Sequence, residues 1–375
     1  MHILSIKWMK KILLLSDINS AHSKKWFKLL SQYGFSLAVY SLSLPEDGWY
    51  KKENIKLLSD GGFSNAKFHA KQSSKIAYLK RRKEVKKAIA DYKPDIVHAH
   101  YASSYGLLGA LSGFHPFYLS VWGSDVLLFP SNPINKSIIK FNFKKADKII
   151  VSSKILKEES QRYTKKEISI IPFGVDTSIF KPSYKEKSDT IIIGTVKSLE
   201  KVYGIDLLIK AFSILVKKMP QTKIEMHIIG EGSEKASLEK MTKELGVDKQ
   251  TRFLGTFSQQ DLVKKMHDFD IGVFLSRSES FGVAILEVSA CGIPVVVSAV
   301  GGLKEVVEDD KTGFWVETEN PEAAAEKMKL LMKDKKLREQ MGKKAREKVI
   351  KEYNLKDTEK EIVNLYESME KKTCE

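Results

Sequence analysis

The sequence predicts an α/β protein made of two doubly wound, parallel-sheet domains facing each other across a cleft. Three observations carry this expectation. Short apolar runs of strand length alternate with amphipathic stretches of helix length in both halves of the chain. A polar, proline-marked segment, residues 181–189, interrupts that alternation once. The 375 residues suit about two cores of ordinary domain size.

In the first half, residues 11–16 read as a strand, 23–33 as a helix and 35–42 as the next strand. Gly34 is placed to end that helix, because a residue without Cβ takes the left-handed conformation at little cost. Further strands are expected at 95–99, 117–121, 148–151 and 168–171. Beyond the polar segment a strand at 190–195 restarts the pattern. Ile205, Leu208, Ile209, Phe212, Leu215 and Val216 then recur at helical spacing and define one apolar face. Strands follow at 224–229, 252–254, 271–275 and 294–297, and from Pro321 onward the pattern is helical only, with three helices. The expected domains are therefore residues 1–183 and 184–355, with 356–375 forming a helix that packs back on the first domain. In doubly wound sheets ligands bind at the carboxyl ends of the strands, so the cleft belongs there.

The formal net charge of +16 is unevenly distributed. Residues 1–183 hold 30 Lys+Arg against 14 Asp+Glu, whereas residues 184–375 hold 33 against 33. The surplus lies wholly in the first half, which points to an anionic ligand or surface on that side. Residues 74–92 sharpen the point. Ile76, Leu79, Val85, Ala88, Ile89 and Tyr92 line one side of a helix and lysines and arginines cover the rest, as in helices that lie on anionic lipid. No apolar run approaches the roughly 18 to 20 residues of a membrane span. The first eleven residues lack the apolar core and cleavage site of a secretory signal. A cytoplasmic protein, with a peripheral position on the inner face of a membrane, is expected. Cys291 and Cys374 form neither a disulfide framework nor a metal spacing.

The most specific segment is Ser276-Arg-Ser-Glu-Ser-Phe-Gly-Val-Ala-Ile-Leu-Glu287, which reads as the end of a strand, a tight turn and a helix. Gly282 lets backbone approach a ligand closely, and the helix that starts beside it aims free N–H groups and the positive end of its dipole at a phosphate. Glu279 precedes the turn. Glu287, eight residues on, carries a carboxylate suited to the diol of a ribose.

With this pair the chain resembles the family 4 retaining glycosyltransferases of the GT-B fold (glycosyltransferase group 1), whose hallmark is two glutamates separated by seven residues around Phe-Gly. The resemblance extends to Pro94-Asp-Ile-Val-His-Ala-His100, Gly123-Ser-Asp125, Ala146-Asp-Lys-Ile-Ile-Val-Ser152, Ile171-Pro-Phe-Gly-Val-Asp-Thr177, Arg252-Phe-Leu-Gly255 and Gly301-Gly-Leu-Lys-Glu-Val-Val307. It implies transfer of a hexose-type sugar, with retention, from a nucleotide diphosphate sugar to a glycan or lipid-linked acceptor, in the synthesis of cell-surface polysaccharide or glycolipid. A UDP-sugar is favoured. By the same resemblance Glu279 contacts the donor hexose. Ser280, Phe281, Gly282 and Val283 hold sugar and diphosphate, Gly230 adjoins the donor and Glu287 binds ribose. Lys197 and Lys201 stand in the stretch where the family carries two basic residues. Cations there neutralise the departing diphosphate, so neither a metal nor another cofactor is expected. Asp268-Phe-Asp270 imitates a metal site of another glycosyltransferase fold but is read as the end of a helix and the start of a strand.

On the acceptor side, Trp122-Gly-Ser-Asp125 follows a strand and so falls at a carboxyl end. Many relatives carry a histidine where Trp122 stands, and here stacking of the indole on a sugar face is expected to replace its hydrogen bond. Asp125 is expected either in the site or capping the next helix. His98 and His100 are expected on opposite faces of their strand, His98 in the core and His100 at the cleft. His22 is placed in the first strand-to-helix loop as an acceptor contact. The alternative reading is a catalytically silent nucleotide-sugar binder of the same fold. No nucleic-acid module is recognisable, and phosphate contacts would not account for Glu279 and Glu287, so no nucleic-acid partner is expected.

Overall fold

The computed structural model describes residues 10–59, 81–183 and 189–368. The chain divides into two compact units, Met1–Ile171 with Glu361–Glu375, and Pro172–Lys360.

The first unit contains β1 (Lys11–Leu15), β2 (Ser36–Tyr40), β3 (Lys56–Ser59), β4 (Ile96–His100), β5 (Phe117–Val121), β6 (Lys148–Val151) and β7 (Ile168–Ile170). They form one sheet in the order β3-β2-β1-β4-β5-β6-β7, and every pairing is parallel. Ile12, Leu13, Leu14 and Leu15 are all fully buried, as a parallel strand covered on both faces requires. Their alternation separates two cores. Leu13 and Leu15 join Tyr40, Phe117 and Phe143 on one face. On the other, Ile12 and Leu14 join Trp26, Phe27 and Tyr366. The helix Ala21–Gln32 is capped by the Ser20 side chain and ends before Gly34, whose φ of +80° is the left-handed conformation expected of it.

Strand β3 went unforeseen, since it is a four-residue edge strand with only Leu57 and Leu58 apolar. The helix Arg82–Tyr92 buries Val85, Ala88 and Tyr92 and exposes Arg82, Lys83, Lys86 and Lys87. Ile76 and Leu79, assigned to the same helix, lie outside the described residues. The last helix, Leu355–Glu367, brings Ile362, Leu365 and Tyr366 into the second core of this unit, and Lys10 Nζ donates to the Tyr366 carbonyl at 2.8 Å.

The second unit contains β8 (Ile191–Val196), β9 (Ile224–Ile229), β10 (Thr251–Gly255), β11 (Ile271–Phe274), β12 (Val295–Ser298) and β13 (Gly313–Val316). Their order is β10-β9-β8-β11-β12-β13, again all parallel. Strand β13 is the other one the sequence did not announce, since it opens on Gly313 directly after the polar residues 308–312. The helix Ile205–Lys218 turns Ile205, Leu208, Ile209, Phe212 and Leu215 into the core, where Met328 and Leu331 of the helix Pro321–Lys333 meet them. The expected helical ending is present, as Pro321–Lys333, Lys335–Glu352 and Leu355–Glu367. In both sheets the strand order reverses once, beside β1 and β4 in the first and beside β8 and β11 in the second. Those reversals open the crevices at the carboxyl ends. The boundary between the units falls after Ile171, and residues 184–188 of the polar segment lie outside the described residues. Among the described residues no helix is long and apolar enough to cross a membrane.

Candidate functional site

In the second unit the motif residues gather at the carboxyl ends of β8, β9 and β11. Gly282, with φ of +103°, is the N-cap of the helix Val283–Ala290, and a Cβ on it would come within 2.8 Å of the Leu303 side chain. The Phe281 ring is buried and packs at 5.7 Å from Phe173 and 5.8 Å from Tyr353. That ring anchors the turn from the core side. Ser280, Val283 and Glu287 are half-buried.

Glu279 is held from both sides. Its carbonyl accepts from Gly302 N at 3.0 Å, and a Cβ on Gly301 would lie 2.0 Å from the same oxygen. Only a glycine fits there. The Glu279 carboxylate forms an ion pair with Lys197, both side chains being almost buried. Lys197 Nζ also lies 4.6 Å from the centre of the Tyr203 ring. Lys197 N donates to the Ile229 carbonyl, and Gly230, with φ of +142°, packs so closely that a Cβ would sit 1.9 Å from the Lys197 carbonyl oxygen.

The second predicted cation is engaged elsewhere. Lys201 Nζ donates to Asp206 Oδ2 at 3.0 Å. Arg277 takes the same carboxylate bidentately, at 2.8 and 2.9 Å, and reaches Glu319 through Nε at 2.5 Å. Burial works against ionisation of Asp206, but the hydrogen bonds from Arg277 and Lys201 prevail and hold it down at about 2. Arg277 is fixed as an always-charged fork by Asp206 first and Glu319 second. Sequence reasoning missed Arg277, Asp206 and Tyr203. The available signal was the position of Arg277 inside the Ser276–Glu287 motif and of Asp206 two residues after Gly204. Asp270 Oδ2 accepts from Ile192 N at 2.8 Å, at the start of β8 and so at the amino ends of the strands.

In the first unit, the ends of β1, β4 and β5 carry an aromatic and imidazole cluster. Trp122 lies 4.6 Å from His100 and 5.8 Å from His22, ring centre to ring centre. His98 and His100 do not diverge. Their rings are 4.8 Å apart, because a strand's side chains alternate and residues two apart share a face. Both are buried. His22 is not in a loop but in the first turn of the helix Ala21–Gln32, since that helix starts earlier than its apolar pattern.

Tyr366 closes the cluster. Its hydroxyl accepts from Trp26 Nε1 at 2.9 Å and lies 2.5 Å from His98 Nδ1, while His98 Nε2 lies 2.9 Å from Ser120 Oγ. With the indole donating, the phenol donates to Nδ1, and a neutral His98 donates from Nε2 to Ser120. Burial drives His98 down to about 3. Burial, then Lys25, drives His22 to about 4. Burial together with the other two imidazoles keeps His100 well below its ordinary value. The floor of this site is therefore neutral despite the basic composition of the unit.

Asp125 is fully buried, and its oxygens accept from Ala102 N at 2.6 Å, Gly123 N at 2.8 Å and Trp122 N at 3.3 Å. Burial raises its pKa in spite of these donors. Its carboxylate ties the turn after β4 to the turn after β5 and thereby sets Trp122, so it positions the site without facing it.

Comparison with known proteins bears on the family and the fold. The Glycosyl transferase 4-like family model matches residues 11–153, and the Glycosyl transferases group 1 model matches residues 176–348. N-acetyl-alpha-D-glucosaminyl L-malate synthase of Bacillus anthracis is 26% identical over 290 residues, 73% of this chain and 74% of that protein. The sucrose-phosphate synthase structure from Thermosynechococcus elongatus superposes with a TM-score of 0.83 at 20% identity, covering 96% of this chain and 99% of the other. HepE of Anabaena in complex with UDP superposes with a TM-score of 0.79 at 19% identity, covering 96% and 100%, and the same protein has also been solved with UDP-glucose. Two units with GT-B neighbours, each matched by a glycosyltransferase family model, make this chain an enzyme, a group 1, family 4 glycosyltransferase of the GT-B fold.

Proposed function

We propose that this glycosyltransferase moves a hexose-type sugar, with retained anomeric configuration and without a metal, from a UDP-sugar to a glycan or lipid-linked acceptor in the synthesis of cell-surface polysaccharide or glycolipid. The observation that carries the reading is the Lys197–Glu279 pair beside the turn at Gly282, which opens the helix Val283–Ala290. A diphosphate placed at that turn meets the helix N–H groups, and Lys197 neutralises the charge that develops as the glycosidic bond breaks. Lys201 is the second cation. Glu279 orients Lys197 and accepts from the hexose hydroxyls, and Glu287 takes the ribose. In this front-face reaction the leaving diphosphate oxygen helps deprotonate the acceptor hydroxyl, which attacks from the same side.

HepE, of the same fold, has been solved with UDP and with UDP-glucose, which favours uridine as the base. The first unit serves the acceptor. Trp122 offers a sugar-stacking surface above a neutral imidazole floor, and the exposed Arg82, Lys83, Lys86 and Lys87 suit an anionic membrane that carries a lipid-linked acceptor. The test is a thermal-shift screen of nucleotide sugars. A donor at 100 times its dissociation constant stabilises by about 2.7 kcal/mol. Silence from every UDP and GDP compound would overturn the donor-site reading.

A further inference from the structure

Lys201 and Arg277 share one carboxylate. Asp206 Oδ2 receives Lys201 Nζ at 3.0 Å and one arm of Arg277 at 2.9 Å, while Oδ1 receives the other arm at 2.8 Å. The Asp206 side chain is 9% exposed, that of Arg277 21% and that of Lys201 65%. The lysine is thus the solvated partner and the arginine the more enclosed one. Arg277 also grips the turn that carries the lysine. Its NH1 donates to the Lys201 carbonyl at 2.6 Å, and its backbone N–H donates to the Val202 carbonyl at 2.8 Å. Gly204, which ends that turn with φ of +64°, packs so tightly that a Cβ would lie 1.9 Å from the Leu275 carbonyl oxygen. The backbone below Lys201 is therefore pinned, and only the side chain is free to swing.

A lysine that leaves a nearly buried carboxylate for a ligand strands a charge, which is costly unless another cation remains. We propose that Arg277 is a positioning residue for the second leaving-group cation: by keeping Asp206 neutralised and the 201–203 turn fixed, it allows Lys201 to exchange Asp206 for the diphosphate of the donor. The inference rests on the donor-site reading above and adds the exchange itself. No bond is made or broken in this step; one ion pair replaces another. The bidentate geometry matters, because a planar guanidinium satisfies both carboxylate oxygens at once.

Calorimetric titration of the full chain with UDP, and with GDP in parallel, tests this. Arg277→Gln leaves Lys201 as the nearest cation on Asp206 and is expected to weaken UDP binding about tenfold. Asp206→Asn combined with Arg277→Gln removes the competing carboxylate and is expected to restore affinity to within about threefold of the parent. A purely structural role for Arg277 would leave the double variant no better than the single one, and that result overturns the proposal. Thermal melts report whether each variant is folded. Should Arg277→Gln not fold, Lys201→Met and Asp206→Asn carry the test: the first is expected to weaken UDP binding about tenfold and the second to match or exceed the parent. Unchanged binding in Lys201→Met overturns the exchange. Failure of the parent chain to bind either nucleotide instead overturns the donor-site reading.

Discussion

Lys197 and Glu279, 82 residues apart in the chain, form an ion pair at the carboxyl ends of β8 and β11 with both side chains nearly buried. The lysine meets the Glu279 carboxylate and the Tyr203 ring, and Glu279 itself lies three residues before Gly282, the N-cap of the helix Val283–Ala290. In the proposed reaction, charge preorganised in this way would stabilise the departing diphosphate without reorganisation at that moment.

Replacing Glu279 with glutamine keeps the shape and removes the charge that orients Lys197. Transfer measured as UDP release is expected to fall about 10²- to 10³-fold, the range found when one preorganised polar group is removed from a reaction centre. Far-ultraviolet circular dichroism should be unchanged. A variant with parental turnover would take Glu279 out of the reaction.

Tyr366→Phe removes one oxygen and leaves two buried groups, Trp26 Nε1 and His98 Nδ1, without their partner. Each stranded group costs about 1–3 kcal/mol, so urea denaturation should show a loss of at least about 2 kcal/mol from a change of a single atom. A shift below about 0.5 kcal/mol would show that the Tyr366 hydroxyl contributes nothing to holding the last helix.

Acid should destabilise the first unit before its carboxylates titrate. His98 and His100 are neutral in the fold, with His98 held near 3 by burial, and His22 follows at about 4. All three regain an ordinary value near 6.5 when the chain unfolds. Because the folded values are depressed, the unfolded chain binds protons that the fold does not as pH drops below 6.5. Stability complete above that point is lost down to about 4 for His22 and about 3 for His98. Each of the two buried histidines contributes a slope of at most about 1.4 kcal/mol per pH unit. Urea midpoints at pH 7.5, 6.0 and 5.0 should fall in that order, and equal midpoints at 7.5 and 5.0 would remove the histidines as the cause.

Legibility from sequence followed the range of the interaction that decides each feature. Strand positions at β5 and β6 were read to the residue, because Phe117–Val121 and Lys148–Val151 are short, mostly apolar, β-branched or aromatic runs set off by Pro116 and by Ala146-Asp147. The edge strands β3 and β13 were not, since β3 has only Leu57 and Leu58 apolar and β13 opens on Gly313, which reads as a turn residue. The shared face of His98 and His100 was available from the pleat alone and was misassigned. Tyr366 could not have been placed beside His98 by any local pattern, as 268 residues separate them.

The sequence by itself determined the two-sheet α/β architecture and the motif from Ser276 to Glu287, because hydrophobic period, turn chemistry and helix initiation act over a few neighbouring residues. The tertiary structure alone decided which charge meets which: Lys197 with Glu279, Lys201 with Asp206 under the fork of Arg277, and the neutral histidines beneath Trp122 and Tyr366. Ion pairs and hydrogen bonds weaken steeply over a few ångströms, and those separations are set by strand order and register across distant parts of the chain.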